Sequence, residues 1–197
     1  DAESAGGSAG DDRLVAMAMA ARLVGSQAFD YAQRSQAMAT GHTTYSTMHA
    51  DSVQSMVNRL ENEPINLPRS LLSSLDLVLL QGQVKVGSNM ARRVRTLTEI
   101  VGLDPETGEL IANTVFYWNP ADDSFTYSGH SYIYEKVRAV RNWSSLDMER
   151  EVKRRIDILE YMKRIGVENY RQVAKIVSAY YKEPDKVIEE VRAKLSE

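Results

Sequence analysis

The chain has 197 residues, a formal net charge of −3 and no cysteine, which excludes disulfides and thiolate zinc sites. The acidic balance, with a pI of about 5.7, argues against a general nucleic-acid binder, and no apolar run approaches the roughly twenty residues of a membrane span. The hydrophobic fraction of 43 % is that of a soluble chain of one ordinary domain, or a domain with an appendage, and the absence of cysteine fits a reducing, cytoplasmic compartment.

Residues 1–12 are rich in Gly, Ala, Ser and Asp and are expected to form a flexible lead-in. Helix formers dominate residues 13–39 and are interrupted at Gly25-Ser26, so residues 13–35 read as a helical segment without a chemical motif. Val15–Val24 is the most apolar N-terminal piece. It is short and interrupted by Arg22, which favours an Ala-rich helix over a signal peptide.

The next stretch, Gly41-His42-Thr43-Thr44-Tyr45-Ser46-Thr47-Met48-His49-Ala50-Asp51, holds two of the three histidines. Its Thr and Tyr content predicts a short strand with polar groups at its mouth, leading directly into a helix. Asp51 or Ser52 can cap that helix, with Gln54 placed to reach back as in a capping box. Val53, Met56, Val57 and Leu60 then recur at helical spacing as one inward stripe. Pro64 lies beyond the expected helix end, and Pro68 introduces a second short helix over Arg69–Leu75.

From Leu77 the period changes from helix-like to strand-like. Strands are expected at Leu77–Val86, Met90–Val101, Leu110–Trp118 and Ser124–Tyr127. The turns between them, Gly87-Ser88-Asn89, Asp104–Gly108 and Asn119–Asp123, are short enough for an antiparallel meander. Helices follow at Tyr132–Arg141, from Ser144-Ser145 to about Ile165, at Tyr170–Tyr181 and from Pro184 to Leu195. Val152, Ile156, Leu159 and Met162 are expected to face inward on the long helix, and Lys153, Arg154, Lys163 and Arg164 outward. The fold class is therefore α/β or α+β.

Two groups of residues could carry chemistry. His42 and His49 are candidate ligands, although on a regular strand residues seven apart point to opposite faces. Against a ligand role stands the ordinary alternative of hydrogen-bonded core histidines. A metal site built from His49 and Asp51, joined by His42 or His130, is a rival reading, but nothing matches a zincin helix. The second group is Arg92, Arg93 and Arg95, with Lys85 on the preceding strand. Arg93 and Arg95 share a face and Arg92 takes the other. They are either a solvated strand protected by charge or a contact with a neighbouring subunit.

The segment "QAMATGHTTYSTMHADSVQSMVNRLE", Gln36 to Glu61, resembles the histidine box and following helix of the type II/type IV secretion ATPases, with their archaeal members for pili, archaella and protein export nearest. The similarity continues through "SLDLVLLQGQVKV", "ARRVRTLTEIVG" and "AKIVSAYYKEPDKVIEEV", covering residues 36–195. It implies that residues 36–128 are the back of a RecA-like motor domain and that residues 129–197 form a helical C-terminal subdomain. It further implies a hexameric ring at the cytoplasmic membrane face, a membrane platform protein as partner, no nucleic acid, and Mg-ATP in the complete enzyme.

Carried over by position, His49 would contact phosphate, His42 would orient its loop, and Gly41, Thr43 and Thr47 would line the nucleotide. Arg92, Arg93 and Arg95 would serve subunit contacts. Residues 30–35, "DYAQRS", depart from the family pattern, and no G-x-x-x-x-G-K-[ST] occurs in the 197 residues. Without that phosphate cradle the chain alone is not expected to hold ATP tightly. The competing class is a non-enzymatic module that binds the complete ATPase or its platform.

Overall fold

The structure is a computed structural model that describes residues 43–63 and 65–196. The expectations for residues 1–42, including the roles of Gly41 and His42, lie outside the described residues. The fold is α+β, and it divides into two compact units, one ending at Ala139 and the other beginning at Val140.

In the first unit, helix α1 (Val53–Glu61) starts at Ser52, whose Oγ accepts from the Ser55 amide at 3.1 Å. Ser52 is the cap, not Asp51, and Gln54 does not reach back: its amide donates to Asn58 at 2.9 Å. Helix α2 (Arg69–Leu72) is a single turn, shorter than the expected Arg69–Leu75. The chain then enters the sheet through β1 (Leu77–Val86), β2 (Asn89–Leu103), β3 (Leu110–Asn119) and β4 (Ser124–Tyr127). The strands lie in the order β1-β2-β3-β4, all neighbours antiparallel, which is the meander read from the turn spacing.

Three register shifts adjust that meander, one of them leaving Val101 unpaired between Ile100 and Gly102. Leu80 pairs with Thr96 and Gln81 with Val94, which leaves Arg95 as the extra residue of β2. Leu97 pairs with Phe116 and Thr98 with Thr114, which leaves Val115 as the extra residue of β3. The middle of β2 is unusual for an antiparallel strand because four successive residues, Leu97 to Ile100, are buried. Both faces of the sheet are therefore covered there. Ile100 joins Val78, Met56, Val57, Leu60, Leu67 and Leu72 in one apolar cluster, so the predicted helical stripe is the face that covers the sheet. Fully burying each such side chain is worth about 1.5–3 kcal/mol.

The other face meets helix α3 (Tyr132–Arg141) at its first turn. Glu99, fully buried, supplies the carboxylate that receives that turn. Helix α3 buries no residue completely, so its attachment depends heavily on this polar anchor and on the exposed Lys136–Asp76 pair at 2.9 Å.

The second unit packs helices α4 (Ser145–Arg164), α5 (Tyr170–Lys182) and α6 (Pro184–Ser196) around Ile158, Met162, Tyr180, Ile188 and Val191. Ser144 and Asp147 form a reciprocal capping box at the start of α4. Gly166, at φ +65°, ends α4 with bonds from the Gly166 amide to Lys163 and from the Val167 amide to Met162. Of the four basic residues expected outside, Arg154 is half-buried because it reaches Asp185 at 2.6 Å. Buried Asp157 accepts from Lys153 at 2.9 Å and from Arg192 at 2.8 Å, joining α4 to α6.

Candidate functional site

The described part of the histidine stretch is not a strand. Residues 43–50 are irregular and pair with no strand among the described residues. A Thr/Tyr-rich segment extends only where a neighbour satisfies its backbone groups, and here the bonds come from elsewhere. The Arg59 guanidinium of α1 donates to the His49 carbonyl at 2.6 Å. Met48 and Ala50 pack against the apolar cluster below α1.

This arrangement leaves Thr43, Thr47 and His49 exposed. His49 lines an open groove against α1, with Met48, Asn58, Arg59, Asn62 and Glu63 among its walls. The rim is therefore an imidazole, a guanidinium, two carboxamides and a carboxylate. Such a set can donate to an anion from one side, although Arg59 is partly committed to the His49 carbonyl. Asp51 does not face this groove as a metal ligand would: its Oδ1 accepts from Ser52 Oγ at 3.1 Å. Hydrogen bonds from Ser52 and then Ser55 hold its carboxyl below the usual range.

For the alternative metal reading, His42 lies outside the described residues. No group of three metal-ligating side chains occurs among the described residues. His130 instead stacks edge-on against Tyr132, ring centres 4.5 Å apart, with Nδ1 3.7 Å from Glu135.

The three arginines of β2 have three different situations. Arg93 makes a two-pronged pair with Asp123, Nε to Oδ1 at 2.8 Å and Nη2 to Oδ2 at 2.7 Å. The Trp118 indole donates to the same carboxylate at 2.7 Å. Arg93 first, and Trp118 second among the hydrogen bonds, hold the Asp123 carboxyl low. Arg93 is thus an internal tie between β2 and the β3–β4 turn. Arg92 and Arg95 are exposed. Arg95, the bulge residue, runs its stem across Gly82, where an added Cβ would sit 3.1 Å from Arg95 Cδ. Gly82 is therefore the small residue that lets Arg95 lie on the sheet.

Two polar centres were not singled out in the sequence. Glu99 Oε1 accepts from Ser131 Oγ at 2.5 Å and from the Ile133 amide at 3.2 Å. Its Oε2 accepts from the Tyr132 amide at 2.9 Å and from Asn113 Nδ2 at 3.1 Å. The signal available was a lone acid in the apolar run Leu97-Thr98-Glu99-Ile100-Val101, but its donors lie 14 to 34 residues away. The second centre is in the helical unit: Glu151 pairs with Arg155 at 2.7 Å and accepts from the Tyr180 hydroxyl at 2.6 Å. Burial and then Glu151 push the Tyr180 phenol well above its usual range.

The molecule is thus an α+β unit carrying a histidine-lined groove and an antiparallel meander, followed by a small helical unit. Residues 121–196 match the family described as PilB3-like, C-terminal, which relates the C-terminal region of this chain to the PilB-like pilus and secretion ATPases. Three proteins of Methanocaldococcus jannaschii, all uncharacterized, are similar over a longer span. MJ1287 is 32 % identical over 145 residues, covering 74 % of this chain and 53 % of that protein. MJ0900 is 35 % identical over 150 residues, again 74 % of this chain but 27 % of that protein. MJ0781 is 24 % identical over 146 residues and 20 % of its own length. The chain spans about half of the first relative, 27 % of the second and 20 % of the third. No helix among the described residues is long and apolar enough to cross a membrane.

Proposed function

We propose that this chain is the C-terminal portion of a secretion or pilus-assembly ATPase, working in a ring of its own kind at the cytoplasmic membrane face and coupling ATP hydrolysis to filament assembly or export. The observation that carries the reading is the match of residues 121–196 to the PilB3-like C-terminal family. The histidine pattern between Gly41 and Asp51 supports it from a separate part of the sequence. In this reading Mg-ATP is held chiefly by a P-loop supplied with the rest of the motor, because the 197 residues contain none.

The chain's own contribution is the exposed edge of the nucleotide site. His49 stands at the groove lip with Arg59 beneath its carbonyl, in a position to donate one hydrogen bond toward a phosphate oxygen. Thr43 and Thr47, both exposed, would border the same nucleotide, with Gly41 and His42 completing the loop. The platform protein of the membrane machinery is the proposed partner.

The test is Mg-ATP turnover and sedimentation of the complete gene product that contains this sequence, compared with the 197-residue chain. Turnover and ring formation by the former, with neither tight nucleotide binding nor turnover by the latter, are expected. A complete product that neither hydrolyses ATP nor binds it would leave the non-enzymatic module as the reading.

A further inference from the structure

The sheet is electrically polar along its length. Residues 81–98 contain four cations and no acid: Lys85, Arg92, Arg93 and Arg95. Residues 99–111, which include the second hairpin turn, contain four acids and no cation, whereas Asp122 and Asp123 lie in the β3–β4 turn beside Arg93. Strand β2, at 15 residues about 50 Å long at roughly 3.4 Å per residue, runs from the tip of the first hairpin to the tip of the second. It therefore connects a positive end to a negative end.

Internal pairing does not cancel this polarity. At the positive end Arg93 is consumed by Asp123. Lys85, Arg92 and Arg95 make no ion pair among the described residues, and all three are exposed. Lys85 stands directly opposite Met90, and Arg92 lies two residues further along the same strand face. Met90 is 60 % exposed, so the first hairpin presents an apolar tip beside cations.

At the negative end the Asp104 carboxylate is used inside its turn, accepting from the Glu106 and Thr107 amides at 2.9 and 2.8 Å. That rigid turn projects Glu106 and Glu109, both exposed. Arg69 acts on Glu109 through space, but its guanidinium is held by both carboxylate oxygens of Glu61. Ile111, 42 % exposed on the strand leaving this turn, supplies the apolar counterpart.

Opposite charges at opposite ends of one rigid element cannot meet within a copy, but they can between copies. We infer that the two ends are the two halves of a head-to-tail contact: the first hairpin of one copy, through Lys85 and Arg92 on one sheet face, docks on the second hairpin of the next, through Glu106 and Glu109. Such a contact is heterologous, so it closes into a ring or continues as a filament according to its rotation. It deepens the ring reading given above by naming the surfaces. Complementary charge sets register and association rate more than it sets affinity, and the exposed Met90 and Ile111 give the contact its apolar component.

The experiment uses the 197-residue chain without nucleotide, so its outcome is independent of whether the complete product hydrolyses ATP. Sedimentation velocity at about 50 mM salt is expected to show concentration-dependent association that weakens as salt shortens the screening length below roughly 10 Å. A hairpin variant (Lys85→Glu, Arg92→Glu) and a turn variant (Glu106→Lys, Glu109→Lys) should each weaken association by tenfold or more, on the order expected for like charges brought together. Mixed one to one, the variants regain complementary pairs and should associate again, as should a chain carrying all four changes. Circular dichroism establishes that each variant is folded, and the recovery on mixing guards against loss by misfolding.

A wild-type chain that stays monomeric at low salt would overturn the contact, as would association indifferent to both variants or absence of recovery on mixing. Recruitment of a monomeric chain to vesicles containing phosphatidylserine, lost in the hairpin variant, would assign the positive end to a lipid surface and overturn it too.

Discussion

Glu99 and Ser131, 32 residues apart in sequence, meet in the interior with carboxylate Oε1 and hydroxyl Oγ 2.5 Å apart. Around that bond the two amides that open α3 and the Asn113 carboxamide complete the coordination of a fully buried carboxylate. A helix N-terminus presents unpaired N–H groups and a positive dipole end, so a carboxylate is the group that suits it. The sheet thereby holds a helix that buries no side chain of its own completely.

Glu99→Gln keeps the size but turns an NH2 toward two donors. We expect it to cost about 1–3 kcal/mol, the range for a buried charged acceptor left unmatched. Ser131→Ala should cost about 1 kcal/mol. Urea unfolding measures both, and hydrogen exchange at Tyr132 and Ile133 should rise more than exchange in β2. A Glu99→Gln chain within 0.5 kcal/mol of wild type would show that the carboxylate is not the anchor.

Arg92 and Arg93 are neighbours with opposite expected phenotypes. Arg93→Ala removes a two-pronged partner and leaves Asp123 with Trp118 alone, so stability should fall by about 1–2 kcal/mol. Arg92→Ala should stay within about 0.5 kcal/mol, as for other surface substitutions. The pair also sets an acid response. The Asp123 carboxyl is held below its unfolded value by Arg93, so its contribution is present above about pH 4 and is lost as pH falls through the lowered folded value. Acid titrations followed by tryptophan fluorescence should therefore lose part of this step in Arg93→Ala. Identical acid profiles would place the Asp123 pairing outside the stability balance.

Tyr180 gives the alkaline counterpart. Its phenol is raised by burial first and by Glu151 next, so the unfolded chain ionises before the folded one. The associated stability is fully present below about pH 10 and is lost as pH rises through the raised folded value. Tyr180→Phe should flatten that alkaline slope, while costing about 1 kcal/mol at neutral pH through the lost bond to Glu151. An unchanged slope in urea titrations between pH 9 and 11 would assign the alkaline loss to other groups.

His49 is expected to matter to turnover and not to folding, because its side chain is exposed and only its carbonyl is used structurally. In the complete motor His49→Ala should lower turnover by roughly 10- to 1000-fold, the scale of one donor placed against transition-state charge. Nucleotide affinity should change much less, and His42→Ala should affect turnover less than His49→Ala. Normal turnover in His49→Ala, measured beside nucleotide affinity, would remove this side chain from the reaction. Arg59→Ala should both loosen the loop that carries His49 and remove the guanidinium from the groove rim, so it is expected to lower turnover as well.

The sequence by itself determined the elements whose signals are local. The four strands followed from period-two runs between Gly-, Asn- and Asp-rich turns, and every helix start beyond residue 51 carried its cap or proline within a few residues. The stripe Met56, Val57 and Leu60 likewise identified its own buried face. Only the tertiary structure decided what depended on a distant partner. Residues 43–50 had strand composition but pair with no strand among the described residues, and backbone groups without a ladder do not extend. Arg93 had the same sequence signal as Arg92 and Arg95, and it was withdrawn from the surface by an acid 30 residues away. Glu99 looked like an interruption in an apolar strand until chain reversal brought Ser131 and the opening amides of α3 over it. Periodicity reports which way a side chain points, whereas burial of charge depends on what the rest of the chain brings to meet it.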